Sequence, residues 1–151
     1  DQHPDSIDAQ RQLASSHGNL AWQLSYWRAE DQRDLQRALE HALQATTLDP
    51  GAPKVWTALA QVHLRRGDFD KAVVAVKDRK PGHIGEVLAQ SALRAMAQWH
   101  LSRPQEARQT LAAAREIHVS DEFVDDAATH LWRPEIDRLM QEASELIPDG
   151  N

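Results

Sequence analysis

The histidines are the first residues to test for chemistry; they stand at 3, 17, 41, 63, 83, 100, 118 and 130. A metal held on one helix needs two ligands three or four residues apart, so that both side chains leave the same face. No two of these histidines have that spacing, so no metal site is expected. The chain has no cysteine, which excludes disulfides, thiolate catalysis and cysteine-held zinc or iron–sulfur centres. Nucleophilic catalysis would need a serine or threonine beside a positioned base. Ser15-Ser16-His17 is the only local cluster of that kind, and it has no glycine-rich elbow around it. Asp and Glu are spread as on solvated helix faces, and Asp125-Asp126 reads as charge at a helix start rather than as an acid–base pair. Neither phosphate-cradling pattern, G-x-x-x-x-G-K or G-x-G-x-x-G, occurs. The expectation is a non-catalytic chain with no cofactor, a small hydrolytic enzyme being the less favoured alternative.

The elements that would position any site follow from composition. A length of 151 residues suits a single domain over 1–151 with a real core. With 17 Lys+Arg against 23 Asp+Glu, the net charge of −6 argues against a nucleic acid or an anionic membrane as partner. No apolar run approaches the roughly 18 residues of a membrane span, and no signal-peptide pattern opens the chain. The chain starts at Asp1 rather than Met, which reads as a processed chain or a domain cut from something longer. A cytoplasmic location is expected. Ala, Leu, Gln, Arg and Glu dominate, β-branched residues are sparse and only six glycines are present, so the fold class expected is all-α.

A period appears when positions are subtracted. Trp22 and Trp56 are 34 residues apart, as are Arg33 and Gly67, Leu35 and Phe69, and Ala38 and Ala72. A third copy fits after one inserted residue, with 35 between Ala72 and Ala107 and 35 between Phe69 and Pro104. Each unit reads as a helix pair. Leu20, Trp22, Leu24 and Trp27 lie on the first lead helix; Leu35, Ala38, Leu39, Ala42, Ala45 and Leu48 make an amphipathic return helix, capped by Asp34 and stopped by Asp49-Pro50-Gly51. Pro53 opens a second lead helix running to Arg66; Gly67-Asp68 turns it, and Phe69 to Lys77 returns, stopping near Asp78 because Pro81 cannot continue it. The third lead helix starts near His83–Ile84 and runs to about Leu101, and Pro104 begins a return helix ending near Ile117. Ala38, Ala72 and Ala107 are small because two helices cross there.

This period resembles the tetratricopeptide repeat. The residues that carry the likeness are Trp22…Ala38…Ala45…Pro50, then Trp56-x-x-Leu59-Ala60…Gly67…Phe69…Ala72, then Ala95…Ala107…Leu111…Ala114. The stretches NLAWQL, RALEHALQATTLDPG, LRAMAQWHL and QEARQTLAAA also look like the repeat-type C-terminal regions of large planctomycete proteins, including predicted serine/threonine kinases. The resemblance implies an α-solenoid of about three antiparallel helix pairs: an N-terminal helix over 5–18, repeats over 19–52, 53–82 and 83–117, and capping helices over 120–147. Pro4-Asp5-Ser6 caps the first helix, which can continue through Gly18. Phe123 to Leu131 is expected to be helical, and Pro134 opens Glu135 to Ile147, whose stripe of Ile136, Leu139, Met140, Ala143, Leu146 and Ile147 closes the solenoid.

It also implies a concave groove lined by lead helices. By repeat phase the groove holds Leu20, Gln23, Trp27 and Glu30, then Lys54, Thr57, Gln61 and Arg65, then Ala89, Ala92, Met96 and Trp99. Trp27 and Trp99 are the candidate anchors. His63 takes a slot usually filled by a core aromatic and reads as a packed imidazole. The Lys, Asn and Arg set that clamps a chaperone tail's terminal carboxylate is not matched, since the first unit has Gln23 and Trp27 there. The role implied is docking of a peptide or helix from a protein partner, or packing against other domains of a longer parent, or pairing as a homodimer.

Overall fold

The computed structural model describes residues 4–26 and 34–150. Every regular element among them is helical. The first is α1 (Pro4–Tyr26), a single 23-residue helix that passes through Gly18 without a break. The ranges 5–18 and 19–52 therefore divide one continuous helix. Next come α2 (Leu35–Leu48), α3 (Pro53–Arg66), α4 (Phe69–Val76), α5 (Ile84–His100) and α6 (Pro104–His118). These form three tetratricopeptide-like pairs, α1 with α2, α3 with α4 and α5 with α6, and the lead helices α1, α3 and α5 pack side by side in order.

Local chemistry sets the ends. Asp34 caps α2 by accepting the Arg37 backbone N–H at 3.0 Å. Gly67 ends α3 with φ +81, a left-handed conformation that costs other residues energy. Pro53 and Pro104 occupy the first turns of α3 and α6, where no intrahelical N–H partner is missed. Asp68 makes no side-chain cap for α4; its carboxylate instead accepts from Arg66 Nε at 3.1 Å. The Arg79 guanidinium lies 3.8 Å from the centre of the Trp56 ring.

The repeat phase is visible in the packing. Ala38, Ala72 and Ala107 are all buried at helix crossings, in one continuous core with Leu59, Leu88, Leu93 and Leu111. His63 is buried too, at 8% exposure.

The C-terminal region departs from expectation. Instead of one helix over 123–131, a short α7 (Asp121–Asp125) is followed by turns and a 3-10 turn at His130–Trp132. Ser120 caps α7 by accepting the Phe123 N–H. Asp125 and Asp126 stand at the end of α7 rather than at a helix start. The Asp126 carboxylate accepts the Ala128 N–H at 3.2 Å and the Thr129 hydroxyl, a local turn that competes with helix continuation. The last helix, α8 (Arg133–Leu146), buries Ile136, Leu139, Met140 and Ala143. It packs chiefly along α5, with a smaller contact to α6. It lies on the inner side of the lead helices as well as closing the end of the stack, since Glu142 reaches Arg65 of α3 and the Arg138 guanidinium sits 5.3 Å from the Tyr26 ring of α1.

Candidate functional site

That placement of α8 decides which inner residues stay open. Met96, expected on the groove, is buried at 1% exposure, because the apolar stripe of α8 packs on α5. Ala89 and Ala92 are buried with it. Gln61 is buried completely, and neither atom of its amide has a partner. Thr57 is buried as well, donating to the Pro53 carbonyl and accepting from Gln90 Nε2 at 3.1 Å. Arg65 is engaged in a two-point ion pair with Glu142, its Nη2 2.6 Å from Oε2. Met96, Ala92, Gln61 and Arg65 thus belong to the interior or to the α3–α8 contact rather than to an open groove, whereas Thr57 and Ala89 come to the wall of a cavity.

The remaining groove residues divide. Gln23 is exposed on α1, and Lys54 is exposed at the start of α3. Trp99 is half-buried against the core, with the Arg108 guanidinium 5.6 Å from its ring. Trp27 and Glu30 lie outside the described residues.

An opening remains at the other end of the inner face. A cavity of about 430 Å3 is lined by Ser15, Gly18, Asn19 and Trp22 of α1, and by Lys54, Val55, Thr57 and Ala58 of α3. His83, Gly85, Glu86 and Ala89 close it from α5 and its N-cap, and Trp132, Glu135 and Ile136 from the last turn and α8. Its size falls within the roughly 300–1,000 Å3 of ligand clefts. Asn19, Lys54 and Trp132 are exposed and form the rim. Lys54 Nζ donates to Ser15 Oγ at 2.6 Å across that rim.

The fourth wall depends on one close approach. A Cβ on Gly85 would lie 2.6 Å from Thr129 Cγ2 and 2.8 Å from Ile136 Cδ1, so only glycine lets the C-terminal segment reach α5 here. Its N–H donates to Thr129 Oγ1 at 3.1 Å. Several lining residues also hold a polar atom that is buried away from the cavity surface and has no partner, namely Trp22 Nε1, His83 Nδ1, Glu86 Oε1 and Glu135 Oε2. Burial of such atoms unpaired is costly. Close by, burial pushes the Tyr26 phenol above its ordinary value.

None of this geometry resembles a nucleophile with its base. Ser16 Oγ donates to the Gln12 carbonyl, and Ser15 accepts from an exposed ammonium, the reverse of being activated by a base. His17 turns away from both serines and contacts His41 of α2, Nδ1 to Nδ1 at 2.8 Å. That pair was invisible to a search for same-helix spacing because its members come from different helices. Among the described residues no three His, Asp or Glu side chains are grouped to hold a metal, and no described helix is long and apolar enough to cross a membrane.

The tetratricopeptide repeat family matches residues 26–79, the stretch that holds α2, α3 and α4. The match takes in most of the two copies that have the strict 34-residue period, starting after Trp22. Searches of curated proteins and of solved structures returned no match. Repeats of this family generally mediate protein–protein contact.

Proposed function

We propose that the chain is a non-catalytic docking module, and that it takes a peptide segment or helix of another protein at the open end of its inner face. The observation that carries this reading is the cavity itself. Three consecutive lead helices converge on it, its rim is exposed, and its lining mixes apolar and polar side chains. The far half of the inner face is already occupied by α8, which confines a partner to the stretch around Trp22, Lys54 and Trp132. Gln23, one helical turn beyond Asn19 on α1, extends the same rim. The partner is a protein, either separate or another domain of a longer polypeptide.

A second reading, self-association or packing against a neighbouring domain, draws support from α1. Leu13 and Leu20 are 50% and 36% exposed, and they stand seven residues apart on the outermost lead helix. Sedimentation of Leu13→Glu would dissociate a dimer held there.

The docking role is tested by selecting peptides from a random display library on the wild-type protein and measuring their binding to Asn19→Trp. Asn19 is exposed at the rim, so an indole there blocks the cavity without disturbing the core. The expected result is binding weakened at least about tenfold. Selected peptides that bind Asn19→Trp as tightly as wild type would place docking elsewhere, and a library that yields no binder would sink the role.

A further inference from the structure

We infer that His17 and His41 form a binding site for a soft monovalent metal ion of the Cu(I) type, held in line between their two Nδ1 atoms. The two Nδ1 atoms are 2.8 Å apart, and the ring centres are 5.1 Å apart with the planes 28° from parallel. The gap between centres matches the nitrogen gap plus one ring radius on each side. Both nitrogens therefore lie close to the line that joins the rings, and their lone-pair axes oppose each other head to head. Two imidazoles so placed share one proton in an N–H···N hydrogen bond, one ring donating and the other accepting. A cation that takes two ligands at opposite sides uses the same line. Tetrahedral and square-planar ions need axes that converge on the metal, so zinc, nickel and Cu(II) match this pair less well.

The surroundings favour the same ion. Ala14 and Ala21 on α1 and Ala38 and Ala45 on α2 are buried on either side of the pair, so both backbones are fixed by packing. The rings themselves are half-buried, which leaves them open to solvent and free to shift. A metal about 2 Å from each nitrogen asks the rings to part by about 1 Å. No net proton is released from a neutral pair: the shared proton leaves the line, and the donor ring takes one up at Nε2 instead. Among the described residues no further His, Asp or Glu joins the pair to complete a higher coordination number. Other histidines have other partners: His63 and His118 face Asp68 and Asp137, and His100 stacks on Phe69. The softer ligands that would draw Cu(I) away are missing or hidden, since the chain has no cysteine and Met96 and Met140 are buried. Arg37, one turn before His41 on α2, is a like charge, and Asp34 offsets it at 3.7 Å.

The test is an anaerobic titration of 15N-labelled protein with Cu(I), kept reduced by ascorbate, following the imidazole nitrogen signals. The Nδ1 signals of His17 and His41 should move together and saturate at one metal per chain. X-ray absorption of the loaded protein should show two nitrogen neighbours and no more. In competition with bicinchoninate, His17→Gln and His41→Gln should each bind Cu(I) at least about tenfold more weakly than wild type, because each removes one of the two ligands. Circular dichroism checks that the variants keep wild-type helical content; if either does not, the wild-type signals and absorption spectrum decide the matter alone. Zinc should bind the pair at least about tenfold more weakly than Cu(I). Stationary His17 and His41 signals, three or four metal neighbours, a folded single variant that binds as tightly as wild type, or tighter binding of zinc would each overturn the inference.

Discussion

Gly18 and Gly85 both lie against the cavity, yet a methyl group added at each meets different surroundings. At Gly18 the nearest atom would be Val55 Cγ1 at 3.8 Å, an ordinary contact, and the helix gains from alanine. Gly18→Ala is therefore expected to raise stability by about 0.5–1 kcal/mol. At Gly85 the clash with the branched, buried Thr129 outweighs that gain, and Gly85→Ala should cost about 1–3 kcal/mol. Urea melts of the two variants check this, and a loss at Gly18 or no loss at Gly85 would refute the packing described. His63 gives a pH dependence. Burial holds its imidazole below the ordinary value, and Asp68, 3.5 Å away, only partly offsets that. The folded protein then binds this proton less readily than the unfolded chain. Its contribution is complete above about pH 6.5 and falls as the pH drops from there through the lowered folded value. Asp68 acts in a lower window: the Arg66 hydrogen bond, and after it the His63 contact, hold the carboxyl below its ordinary range against the opposing effect of burial. Stability from Asp68 is present above the unfolded carboxylate value and is lost as pH falls through the folded one. Melts at pH 7.5 and 5.5 should show a smaller loss for His63→Phe than for wild type; equal losses would mean His63 does not titrate as described.

At the scale of elements, α8 determines how much of the inner face is free. Arg65 has only 10% of its side chain exposed and depends on Glu142, itself 39% exposed, for its charge partner. Removing the carboxylate leaves a largely buried guanidinium unpaired, so Glu142→Ala should cost about 1–3 kcal/mol. Replacing both residues with apolar ones of similar size should recover most of it. A double-mutant cycle by thermal melting measures the coupling, and additive effects would show that α8 is held by its apolar stripe alone. The helix pairs were legible in the sequence because Ala38, Ala72 and Ala107 mark crossings where only a small side chain fits, and because Asp34, Gly67, Pro53 and Pro104 act through local backbone chemistry. The expected helix over 123–131 failed at Asp126, whose side chain favours a turn. Met96 and Gln61 were assigned to a groove by repeat phase, which fixes the direction in which a residue faces but not what later segment of chain lies over it. Glu86 and Glu135 passed as solvated helix charge, since nothing in their spacing shows that Gly85 draws α5 and the C-terminal segment together around a cavity.

For the whole molecule, partner contact is proposed at one end of an inner face that the protein otherwise fills with its own last helix. Binding confined to that end should slow amide hydrogen exchange in a pattern that is discontinuous in sequence but contiguous in space. The direct measurement is hydrogen–deuterium exchange of the wild-type protein with and without a library-selected peptide at saturation. Protection is expected in segments covering 15–22, 54–58, 83–89 and 132–136, with little change in α2, α4 and α6. Protection centred on those three return helices, or unchanged exchange in all four inner segments, would contradict the account.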